Sequence, residues 1–188
     1  MKPIFLVGYM GSGKSTLGRA LSRAMDLEFI DLDQYIENRF HKSIKQLYNE
    51  KGEQKFRDIE HNMLLEVAEF ENIIVACGGG TPCHRENMAA MNTHGLTILL
   101  EVPVTVIVDR LCRPGAKAKR PLIANLPDEE LTAYVTASLE QRMPFYSQAQ
   151  MHFDATDIET ARATIATANI LKSKILDIIL ASPAKGRI

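Results

Sequence analysis

Residues 3–16 read PIFLVGYMGSGKST, an apolar run that breaks into glycines and closes on a lysine and two hydroxyls. The run is too short for a signal peptide and reads as a first strand. Gly8-x4-Gly13-Lys14-Ser15 fits the phosphate-binding loop pattern in full. Glycine lets the chain turn tightly and leaves room for phosphate oxygens. Successive backbone N–H groups then form an anion nest, and the following helix adds its dipole. Lys14 supplies a point charge to the outer phosphates, and Ser15 can place a hydroxyl on Mg²⁺. ATP or GTP binding follows. The reaction does not.

Outward from this loop, short apolar runs alternate with helical patterns. The runs are 3–8, 28–33, 72–77, 96–102 and 151–156, several of them near-continuous, as in strands buried on both faces. Between them helical periodicity recurs, as in Phe56, Ile59, Met63, Val67 and Phe70. The alternation predicts an α/β fold: a five-stranded parallel sheet with helices on both faces. All 188 residues are read as one domain. Two insertions break its rhythm. The first holds a short helix near 33–40, a capping box in SIKQ (43–46), and Gly52 as a stop. The second, 110–127, has three prolines and no clear period, and is expected to be a mobile loop. A tail helix over 157–181 is ended by Pro183.

Composition bounds the partners. A net charge of −1 argues against a general nucleic-acid binder, and no apolar window is long enough for a membrane span. Three cysteines without metal spacing fit reduced thiols in the cytoplasm.

A second acidic residue should hold Mg²⁺ from the end of another strand. The run NIIVAC (72–77) leads instead into Gly78-Gly79-Gly80. Asp31 and Asp33, in DLD, offer a replacement, one for the metal and one for an acceptor hydroxyl. In an extended segment both would face one side. The alternative is that Asp33 caps the next helix. Arg57 and Glu60 are i, i+3 neighbours, either a surface ion pair or an anion grip. The three glycines form a second strand-to-helix turn, with Thr81-Pro82 as its helix start, and allow close approach of a ligand. Arg110, Arg113, Lys117, Lys119 and Arg120 give the second insertion five positive charges in eleven residues. A basic lid would stabilise a migrating phosphoryl group and exclude water. Arg142, two residues before Pro144, can grip a carboxylate. The acceptor is therefore expected to be small, hydroxylated and anionic.

GxxGSGKST, DLD, FRxxE, GGG, RPLI and RxPxY, in this order from Gly8 to Tyr146, resemble the shikimate kinases. The resemblance implies a nucleoside-monophosphate-kinase-like fold, with an acceptor-binding insertion at about 33–61 and a lid at about 112–124. It implies transfer of the γ-phosphate of ATP to the 3-hydroxyl of shikimate, with Mg²⁺. ATP would be held by Gly11, Ser12, Gly13, Lys14, Ser15, Thr16, Arg110 and Arg120, with Arg110 near the adenine. Ser15 and Asp31 would serve the metal. Lys14, Asp33 and Arg120 would be catalytic. Asp33, Arg57, Gly79 and Arg142 would bind shikimate, with Glu60 supporting Arg57. A monomer is implied, with neither nucleic acid nor membrane as partner. The loop 155–161 reads ATDIETA, acidic where this family often carries a basic residue. A gluconate kinase is the alternative, since gluconate is also a hydroxy acid.

Overall fold

The computed structural model describes residues 1–117, 120 and 122–181. Lys119, Pro121 and Pro183 lie outside the described residues. Five parallel strands form one sheet: β1 (Ile4–Val7), β2 (Glu28–Asp31), β3 (Ile73–Ala76), β4 (Leu96–Glu101) and β5 (Met151–Asp154), in the order β2-β3-β1-β4-β5. The helices are α1 (Lys14–Met25), α2 (Leu32–Phe40), α3 (Ile44–Ala68), α4 (Asn87–His94), α5 (Val104–Cys112), α6 (Asp128–Tyr146) and α7 (Ala161–Ala181). The expected architecture is present, strand for strand.

Successive strand residues point to opposite faces, so β1 feeds two cores. Phe5 and Val7 pack with Leu32, Leu47, Leu64 and Val135 under α2, α3 and α6. Ile4 and Leu6 pack with Leu17, Leu21, Leu171 and Ile175 under α1 and α7. All four of these β1 residues are buried, which is why the sequence runs apolar without alternation. Phe5→Ala would cost about 3–5 kcal/mol, because the central strand cannot collapse into the void.

Several local expectations change. The capping box holds: Ser43 accepts from Gln46 N–H at 3.2 Å, and Gln46 accepts from Ser43 N–H at 2.8 Å. Gly52, at φ 78°, ψ 167°, breaks the helical path as expected of a stop, and a second helical stretch follows at once, so that α3 is kinked there. Phe70 falls past the end of α3 and is exposed; its ring packs edge-on against Tyr35 instead. Thr81 does not cap a helix. A 3-10 turn spans Thr81–Cys83 with Gly80 at its N-cap, and α4 starts only at Asn87. The tail helix starts at Ala161, four residues later than expected. Pro144 lies inside α6, which continues to Tyr146. The first three residues of the second insertion end α5, and its described residues from Arg113 onward form turns, among which Ile123 is fully buried.

Because every strand is parallel, the residues that follow β1, β2 and β3 gather at one edge. A cleft of about 960 Å³ opens there.

Candidate active site

The phosphate loop runs from Gly8 to Ser15. Gly11 and Gly13 have φ of 82° and 92°, where a side chain would be strained. A Cβ on Gly13 would also meet Ile158 Cδ1 at 2.0 Å. Lys14 Nζ donates to the carbonyls of Gly8 and Tyr9, both at 2.8 Å. Burial pushes the Lys14 ammonium down to about 8, against the pull of Asp33 and Asp31. Gly11, Gly13, Lys14, Ser15 and Thr16 line the cleft. Ser12 does not: it is 1% exposed and its N–H donates to Tyr9 O at 3.1 Å.

Ser15 Oγ donates to Asp31 Oδ2 at 2.7 Å. Asp31 is the N-cap residue of α2, yet its side chain makes no capping bond. It is turned toward the phosphate loop. Asp33 sits in the first turn of α2, not at its cap. So the two carboxylates reach the cleft across a strand-to-helix junction, and not by the strand alternation expected from DLD. Asp33 is exposed at the cleft, while the Gly78 turn crowds its carboxylate from the protein side. Burial, then the charges of Glu60 and Asp31, push its carboxyl up to about 6.

Arg57 and Glu60 are not a surface pair. Arg57 Nη1 donates to Glu60 Oε2 at 2.7 Å, and Glu60 is 1% exposed. Thr81 Oγ1 donates to the other oxygen, Oε1, at 2.6 Å. Asn87 Nδ2 in turn donates to Thr81 O at 2.7 Å. A buried carboxylate with both oxygens engaged is a rigid platform for the guanidinium.

The three glycines explain themselves by what crowds them. A Cβ on Gly78 would lie 3.0 Å from Glu60 Oε1 and 3.1 Å from Asp33 Oδ1. On Gly79 it would lie 3.3 Å from Arg142 Nη1. On Gly80 it would lie 2.6 Å from Arg57 Nη2. The turn is bare so that four charged side chains can close around it. None of the three has a positive φ. Tyr146 donates its hydroxyl to Gly79 O at 2.6 Å, and Arg142 lies over the Tyr9 ring at 5.2 Å. Gly78 and Gly79 line the cleft, while Arg57 and Arg142 stand directly behind the turn.

On the lid side, Arg110, Arg113, Arg120 and Leu122 line the cleft. Much of the expected positive field is compensated. Arg110 and Arg113 both bond Glu159, and Lys117 bonds Asp128 at 2.7 Å. Arg120 donates to Ala116 O within its own turn. Glu159 was not singled out by sequence, and Thr81 stood out only as a helix start. Only the acidity of 155–161 hinted at the former.

The cleft therefore has a phosphate cradle and a Ser–Asp oxygen pair on one side. On the other it has a raised carboxyl and the Gly78–Gly79 turn, with the Arg57 and Arg142 guanidiniums behind that turn and outside the cleft lining. Among the described residues, no helix is long and apolar enough to cross a membrane, and the three cysteines are unpaired.

Comparison with known proteins gives one answer. The family model for shikimate kinase matches residues 10–174. A shikimate kinase of Phocaeicola vulgatus is 50% identical over 175 residues, covering 93% of this chain and 99% of the relative. The crystal structure of a shikimate kinase from Bacteroides thetaiotaomicron superposes with a TM-score of 0.88 at 44% identity, covering 93% of this chain and 98% of the other. A shikimate kinase from Acinetobacter baumannii, solved in complex with shikimate, gives 0.77 at 31% identity, covering 98% and 96%.

Proposed function

This chain belongs to the shikimate kinase family, and from that membership we propose how its residues share the reaction. The enzyme transfers the γ-phosphoryl group of ATP to the 3-hydroxyl of shikimate, giving shikimate 3-phosphate and ADP on the route to aromatic amino acids. The relatives favour shikimate over gluconate as the acceptor.

The donor half is the loop from Gly11 to Thr16, with the Lys14 ammonium on the outer phosphates. Ser12, buried and with its N–H spent on Tyr9 O, would shape the loop rather than touch the phosphates. Ser15 and Asp31 would hold Mg²⁺: two hard oxygens 2.7 Å apart beside a phosphate site suit an ion that keeps most of its ligands as water and phosphate. The ion would neutralise charge on the phosphates. Arg120 sits on the cleft wall, where it can meet the migrating group.

The acceptor half is Asp33, Arg57, Arg142 and the Gly79 backbone. Asp33 takes the proton of the attacking hydroxyl or orients it. A carboxyl near 6 is largely ionised at neutral pH and is still a useful base. Arg57 and Arg142 hold the substrate carboxylate, Arg57 fixed by Glu60. The whole chain would act as one kinase domain in the cytoplasm, with 33–61 gathering the acceptor and 112–124 closing over ATP.

The observation that carries this reading is the crowding of Asp33, Glu60, Arg57 and Arg142 onto one glycine turn facing the phosphate cradle. ADP release with shikimate, gluconate and nucleoside monophosphates tests it. Shikimate alone should stimulate release. Absence of stimulation at millimolar shikimate would sink the reading.

A further inference from the structure

Arg110 is held on three sides. Its Nη1 donates to Gly11 O of the phosphate loop at 3.0 Å. Its Nη2 donates to Ala155 O and Thr156 O, after β5, at 3.3 and 2.8 Å. Its Nε donates to Glu159 Oε1 at 2.7 Å. The side chain is only 9% exposed. Nε, Nη1 and Nη2 are all engaged.

The three carbonyls supply dipoles, whereas Glu159 supplies the counter-charge that a nearly buried cation needs. The other oxygen of Glu159 accepts from Arg113 Nη2, in the second insertion. Arg113 and Glu159 are 56% and 38% exposed at this contact. An ion pair so exposed is weak and easily broken. One partly exposed carboxylate thus bonds a nearly buried guanidinium, Arg110, and an exposed one, Arg113. The two hydrogen bonds draw its pKa below the usual range, so it stays charged.

We propose that Glu159 is a positioning residue for the nucleotide. It fixes Arg110 between the phosphate loop and the segment after β5, and it ties Arg113, the residue that follows α5, to the same side of the cleft. All three residues line the cleft with Gly11 and Gly13. Loss of the carboxylate frees Arg110 to swing and detaches Arg113 from the nucleotide side. The proposal rests on the kinase reading, which ADP release by the unaltered chain tests separately.

The test uses Glu159→Ala and Glu159→Gln in the full chain. ADP affinity with Mg²⁺ is measured by calorimetry, with both KM values and the thermal midpoint. Glu159→Ala should raise the ADP Kd and the ATP KM about 5- to 10-fold, with shikimate KM within about twofold. Arg113→Ala should weaken ADP less, and should add little in the Glu159→Ala background. Glu159→Gln, which keeps shape and an acceptor for Arg110, should fall between; it carries the test should the alanine variant fail to fold. Wild-type ADP affinity in a folded Glu159 variant overturns the proposal. So does a shikimate KM that rises in step with that of ATP, which would mean a general loosening of the fold.

Discussion

Thr81 Oγ1 donates to Glu60 Oε1 at 2.6 Å, and both side chains are buried at the floor of the acceptor side. The bond joins the turn after β3 to α3, and through Glu60 it reaches Arg57. Thr81→Val would leave one oxygen of a buried carboxylate unpaired, at a cost of about 1.5–3 kcal/mol in stability. Shikimate KM should rise about 5- to 10-fold, with ATP KM almost unmoved. Thr81→Ser should restore both. Steady-state kinetics with a denaturation curve read this out, and an unchanged shikimate KM would detach Thr81 from the acceptor.

Gly80→Ala and Gly13→Ala should fail on opposite substrates. At Gly80 the backbone is ordinary, at φ −92°, and the added methyl strikes only Arg57. Shikimate KM should climb at least about tenfold while ADP binds normally. At Gly13 the methyl meets Ile158 and φ is 92°. Nucleotide binding should be lost first. Equal damage to both substrates by Gly80→Ala would refute this division.

Arg57→Ala should raise shikimate KM by about 10- to 100-fold, with a small change for ATP. Equal loss of ATP affinity would remove Arg57 from the carboxylate.

The pH dependence follows from two groups shifted toward each other. Asp33, raised to about 6, protonates as the pH falls and loses its power as a base. Lys14, lowered to about 8, loses its charge as the pH rises. Thus kcat/KM for ATP should be bell-shaped between those values, since it reports the free enzyme. In kcat the alkaline limb should move upward, because bound triphosphate favours the lysine's charged form. Asp33→Asn should lower kcat about 10²- to 10⁴-fold and leave ADP affinity near normal. A profile flat from pH 5 to 9 would contradict both assignments.

The central strands were legible because they are buried on both faces, so apolar runs such as IFLV and IIVA stand out, whereas the edge strands β2 and β5 are largely uncovered. The phosphate loop was legible because its parts are consecutive. The acceptor side was less so. Thr81 precedes a proline, which is how a helix start looks. Its true partner, Glu60, is 21 residues away, and no local rule points there. Gly78–Gly80 read as room for a ligand, whereas the room is filled by the protein's own charges. Positive charge at 110–120 was visible, but its neutralisation by Glu159 and Asp128 depends on folding. Pairings between distant residues are set by the tertiary path of the chain, and periodicity does not carry that information.

The lysine of the phosphate loop already has partners. Its two short bonds to Gly8 O and Tyr9 O mean that a ligand must trade for them. A bound oxyanion replaces two neutral dipoles with a full charge. A triphosphate engages the nest and the helix end as well. The self-bonded lysine is thus held across the loop by its own backbone, so the cation is in place before the phosphates arrive and only its partners change.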